Sequence, residues 1–105
     1  MQFLYRLEPT RTEMLGSGPT DRESSVLAEH FSYLEQLVKE GKVHLAGRTL
    51  NPDERCFGVV IFYADSERTA FELMKNDPAV REGVMTAELF PFRIALCASE
   101  EAQHE

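Results

Sequence analysis

The chain has 105 residues with 11 basic against 18 acidic side chains, a formal charge of −7. One domain is the expectation at this length, and the acidic balance argues against nucleic acid and anionic membrane surfaces as partners. No apolar run approaches the roughly 20 residues that a membrane helix needs, and the N-terminal MQFLYRLEPTRTE lacks the basic and apolar regions of a signal peptide, so a soluble cytoplasmic protein is expected.

Residues 2–8, QFLYRLE, alternate Phe3, Tyr5 and Leu7 against polar neighbours, which predicts a strand with one buried face, ended by Pro9. Residues 10–19, TRTEMLGSGP, read as a long loop, either the border of a binding site or a disordered excursion. Thr20 and Glu23 form a T-x-x-E capping box that starts a helix. Val26, Leu27, His30, Phe31, Leu34, Leu37 and Val38 then recur along one stripe, and Gly41 supplies the stop.

A second strand is predicted over 42–50 and a turn over 51–55. The continuous apolar run CFGVVIFYA, 56–64, is what a strand buried on both faces needs. Asp65 or Ser66 caps a second helix with Ala70, Phe71 and Met74 facing inward. Pro78 suits the first position of a short extra turn capped by Asp77. The last strand is predicted over 84–97, and Pro91 marks it as an edge or bulged strand. The acidic tail 99–105 is expected to fray, leaving 1–98 as a single α+β domain.

The resulting order, βαββαβ, is the split βαβ arrangement. It predicts a ferredoxin-like α+β fold: a four-stranded antiparallel sheet with two helices on one face. The first, third and fourth strands would leave apolar side chains on the opposite face. A homodimer packed through that open face is the economical cover.

Two residues of acid/base type fall in apolar surroundings. His30 is either a core histidine with one satisfied hydrogen bond or a general acid/base, since imidazole titrates near neutral pH and needs only a partner to fix its tautomer. Asp77 is either a helix cap or a carboxylate that reaches back toward the first helix and holds His30. Arg48, after Gly47 at a strand end, is a candidate anion clamp, with plain surface solvation as the alternative. Tyr33 and Tyr63 either line a pocket or pack, and Tyr33 joins Arg48 as a candidate substrate contact. His44 is expected to face solvent. Cys56 and Cys97 lie in strand-like stretches without a CxxC and are expected to be small buried hydrophobes. No zinc ligand set, phosphate-binding glycine loop or G-x-S-x-G is present, and neither metal nor cofactor is expected.

Three stretches carry a more specific signal: HFSYLEQLVKEGKVHLAGRTL, FGVVIFYADSERTAFELM and NDPAVREGVMTAELFPF. They contain a helical histidine, a glycine at the helix end and another within seven residues, then DPA and a final Pro-Phe. Over about residues 26–96 the chain resembles the YciI-like (YCII-related) family. The resemblance implies a ferredoxin-like domain that dimerises into a shared α+β barrel, with His30 and Asp77 at the positions of the family's proposed active pair. It implies a pocket at that pair, and the first expectation is a cofactor-independent enzyme that moves a proton on a small metabolite, aromatic or lactone-like. A non-catalytic small-molecule-binding or accessory dimeric module is the alternative. The family's usual Gly-Pro after the second strand is Gly47-Arg48 here, which changes the rim of any pocket.

Overall fold

A computed structural model describes residues 1–98; the tail expected to fray, 99–105, lies outside the described residues. Four strands, β1 (Gln2–Pro9), β2 (Val43–Arg48), β3 (Gly58–Tyr63) and β4 (Met85–Phe92), form one sheet in the order β2-β3-β1-β4. All three pairings are antiparallel, with β1 and β3 central. The helices are α1 (Glu13–Gly16), α2 (Asp21–Lys39), α3 (Glu67–Lys75) and α4 (Pro78–Arg81). Together these make the ferredoxin-like split arrangement. Among the described residues no helix is long and apolar enough to cross a membrane.

Local chemistry accounts for the boundaries. Thr20 Oγ1 accepts the Glu23 N–H at 3.1 Å while Glu23 Oε1 accepts the Thr20 N–H at 2.8 Å, a reciprocal capping box at the start of α2. At its end Gly41 takes φ +77°, and Lys42 N–H reaches back to the Leu37 carbonyl at 2.9 Å. A side chain at Gly41 would be strained in that left-handed conformation. Ser66, rather than Asp65, caps α3 through the Thr69 N–H at 3.1 Å. Pro91 lies on edge strand β4, where its missing N–H breaks no ladder.

The core sits between the sheet and the helices. Phe3, Tyr5 and Leu7 from β1 and Val60 and Phe62 from β3 meet Leu34 and Leu37 of α2 and Ala70 and Met74 of α3. Complete burial of Phe3 and Phe62 stabilises the fold by roughly 1.5–3 kcal/mol each. On the other face, Leu4 pairs with Ile61 on one side and Phe90 on the other, and Leu45 continues the row opposite Ile61. β3 is therefore fully covered on its helix face alone: Ile61 is half-buried and Tyr63 exposed.

Several expectations need correction. Residues 10–19 are not plain loop, because Met14 of α1 buries itself against Val26 and Val84 and pins the segment down. Phe71 does not face inward; it stays 49 % exposed, since Ala70 and Met74 already occupy the core side of the short α3. The last strand stops at Phe92 rather than running to 97, because its partner β1 begins at Gln2 opposite that residue. Cys97 consequently lies exposed beyond the sheet, while Cys56 is buried, with its thiol 3.6 Å from the Thr49 carbonyl. His44 is half-buried at an irregularity in β2, edge-on to the Tyr63 ring.

The segment 10–19 is also latched electrostatically. Arg11 forks onto Glu23 at 2.9 and 2.7 Å. The Arg11 hydrogen bond, then the Thr20 N–H, hold the Glu23 carboxyl down at about 2. Since the folded value lies below the unfolded one, the stabilisation is complete above pH ~4.5 and is lost as pH falls toward ~2. Glu23→Gln keeps the acceptor but not the charge. Its stability deficit in urea melts is expected to close across that window; parallel pH profiles for variant and wild type would contradict the latch.

Candidate active site

His30 lies on the sheet-facing side of α2, and Asp77 lies in the junction between α3 and α4. The Asp-Pro step builds that junction: Pro78 opens α4, and Asp77 caps it by accepting the Ala79 N–H at 3.0 Å. α4 packs beside α2, so the capping carboxylate is delivered to the histidine. His30 Nδ1 and Asp77 Oδ1 lie 2.6 Å apart, with Asp77 0 % and His30 17 % exposed at the side chain. Asp77 thus caps a helix and holds a histidine with the same oxygen.

The other carboxylate oxygen has its own partner. Tyr5, fully buried on β1, donates its hydroxyl to Asp77 Oδ2 at 2.7 Å. Burial, then the neighbouring Asp77 charge and this hydrogen bond, push the Tyr5 hydroxyl far above its ordinary value, so it remains a donor. Among the described residues no buried side-chain nitrogen or oxygen lacks a partner. Asp77 therefore receives three donors: an imidazole N–H, a phenol and a backbone amide.

That arrangement fixes the histidine. A carboxylate only accepts, so a neutral His30 must carry its proton on Nδ1 and its lone pair on Nε2. A cavity of about 680 Å³ opens beside it, within the ordinary range of small-molecule sites. Its walls are the outward side of the α2 stripe, the segment 10–19, and the adjoining ends of β2 and β3, with Arg48 at the β2 end. Phe31 and Val38, 66 % and 48 % exposed, belong to this wall and not to the core.

Of the four residues singled out in the sequence, His30 and Arg48 line the cavity, and Asp77 stands behind His30. Tyr33 does not line it; its hydroxyl donates to the Leu73 carbonyl at 2.6 Å and ties α2 to α3. Burial, then the Asp77 charge, push that hydroxyl up to about 12. Tyr5 went unrecognised beforehand. Its signal was present: a phenol at a buried alternating position needs a partner for its hydroxyl. Among the described residues no group of three or more His, Cys, Asp or Glu side chains is placed to hold a metal ion.

The sequence profile of the YCII-related domain matches residues 1–93. The chain belongs to the YCII-related family. Among solved structures it is similar to the 5-chloro-2-hydroxyhydroquinone dehydrochlorinase of Burkholderia phenoliruptrix, in complex with 2,5-dihydroxybenzoquinone. The likeness has a TM-score of 0.66 at 23 % identity over 89 % of this chain and 94 % of that one, and it shows a shared fold. No curated protein matches the chain. For a YCII-related protein with this geometry, the residues can bind a small molecule in the cavity and present it with one oriented imidazole.

Proposed function

We propose that this YCII-related protein is a cofactor-independent enzyme that moves a proton on a small aromatic or lactone-like metabolite, with His30 as general acid/base. The observation that carries the reading is the 2.6 Å His30–Asp77 contact at the wall of a cavity of about 680 Å³. His30 Nε2 takes a proton from the bound molecule; the resulting imidazolium is stabilised by the Asp77 carboxylate and returns its proton at another atom or to the leaving group. Asp77 orients and never touches substrate. Tyr5 and the Ala79 N–H hold Asp77 in turn, and Arg48 steadies an anionic group.

The similar fold that binds 2,5-dihydroxybenzoquinone makes chlorinated and unchlorinated hydroxyquinols the first panel to assay, followed by small unsaturated lactones. His30→Asn is the informative variant, because its amide nitrogen can stand where Nδ1 does and still donate to Asp77, while Nε2 is gone. Turnover is expected to fall by about 10²–10⁴-fold with little change in melting temperature. Binding without turnover anywhere in the panel would make the cavity a ligand-binding module instead.

We further infer that the protein is a homodimer formed through the open sheet face. Leu4, Leu45, Ile61 and Phe90 form a contiguous apolar row there in register, and a lone chain would leave it wet. The wild type is expected to sediment as a dimer, and Ile61→Glu, a charge in the middle of that row, as a monomer. A monomeric wild type would contradict the assignment.

A further inference from the structure

Besides the Cys56 thiol, the cavity wall carries three ionisable side chains: His30 and Glu35 from α2, and Arg48 from β2. Most of the remainder is apolar, including Leu27, Phe31 and Val38. Arg6, Arg11, Arg22, Arg55, Arg68 and Arg81 each pair with a carboxylate. Arg48 and Arg93 have no such partner among the described residues, although the chain carries a net charge of −7, and of the two it is Arg48 that lines the cavity.

The sheet register explains where Arg48 goes. Ala46 pairs with Val60 and Arg48 with Gly58, so Arg48 shares the face of buried Val60, the side on which the helices lie. α2 covers β2 only near Val43; Ala46 and Arg48 remain exposed on a helix-side face left open to the cavity. Opposite Arg48, Gly58 keeps the floor low. A Cβ added there would lie 3.3 Å from the Gly47 carbonyl oxygen and 3.6 Å from Leu7 Cβ. A guanidinium above a side-chain-free floor presents its fork to whatever enters.

We propose that the cavity selects an aryl monoanion: a flat apolar body lying along Leu27, Phe31 and Val38, with one carboxylate-type charge on Arg48. Glu35, exposed on the same stretch of wall, repels a second negative charge. Arg48 is thus a binding residue and Glu35 a specificity residue. This rests on the cavity assignment above, though not on His30 performing proton transfer. A ligand with no charge would leave the arginine unused, and a dianion would meet the glutamate.

The test is calorimetric binding of 2-naphthoate, its methyl ester and 2,6-naphthalenedicarboxylate to the whole protein. Naphthoate is expected to bind roughly tenfold tighter than the ester, and Arg48→Gln, at an exposed site, should make the two equal. Glu35→Gln should strengthen binding of the dicarboxylate severalfold and leave naphthoate nearly unchanged. His30→Asn should keep the naphthoate preference, which separates this inference from the catalytic one. Equal binding of acid and ester, an Arg48→Gln variant that keeps the preference, or no binding by any of the three overturns the proposal. A Glu35→Gln variant with unchanged dicarboxylate affinity overturns the part given to Glu35.

Discussion

Asp77→Ala is expected to destabilise the protein by about 3–5 kcal/mol, more than any surface substitution. The change strips the acceptor from three donors at once: Tyr5 Oη, the His30 Nδ1–H and the Ala79 N–H. Each donor left buried without a partner costs about 1–3 kcal/mol. Part of the loss is recovered because water can enter from the His30 side, which is not sealed. Measured against a typical total of about 5–15 kcal/mol, the remainder is large. Urea melts of Asp77→Ala and Tyr5→Phe would check it. Tyr5→Phe removes one hydrogen bond while keeping the ring, and should lose only about 1–2 kcal/mol. Equal and small losses for both would mean that Asp77 is a helix cap and little else.

The second large effect is on turnover. Asp77→Asn keeps the shape of the carboxylate and an oxygen for the Ala79 N–H, so the fold should survive with a loss of about 1–3 kcal/mol. What changes is the charge beside the histidine. The Ala79 N–H and His30 Nδ1 share one oxygen, so the amide oxygen stays there and the new N–H group faces the Tyr5 hydroxyl, which can turn to accept. The tautomer is kept, but on the proposed reading the imidazolium loses the carboxylate that stabilises it, a charge-assisted bond of about 1.5–3 kcal/mol. A drop in turnover of about 10–10²-fold is expected, smaller than that of His30→Asn, with the double variant hardly worse than His30→Asn alone. Additive losses would show that the two residues do not act as a unit.

Much of the frame was legible because single residues carried strong local signals. Thr20 with Glu23 and Gly41 bound α2, Pro78 set the junction that delivers Asp77, and Pro91 put β4 at the edge. Of the candidate site, His30, Asp77 and Arg48 were legible and Tyr5 was not. A carboxylate before proline reads as a cap, and it is one; that the same oxygen also meets His30 depends on α4 lying beside α2, which no local pattern states. Tyr5 was hidden by its own alternation, since a core tyrosine and a phenol bracing a carboxylate look alike in a strand. Phe31 and Val38 share the helical period of Leu34 and Leu37 yet line the cavity, because the apolar stripe is wider than the sheet can cover. Met14, with Leu15 the apolar pair in an otherwise polar, glycine-containing stretch, was the cue to α1, and its partners Val26 and Val84 are too distant in sequence to announce it.

On the proposed reading, Asp77 holds His30 with its lone pair on Nε2 and turned toward a ligand. Long-range ¹H–¹⁵N correlation of the His30 ring near neutral pH reads this directly. The expected spectrum shows a protonated Nδ1 and an unprotonated Nε2 in the neutral ring, a Nε2 resonance that moves when a cavity ligand binds, and the same tautomer in Asp77→Asn, whose amide oxygen stays with the Ala79 N–H. A neutral His30 with its proton on Nε2 in the wild type, unmoved by ligand, would contradict it.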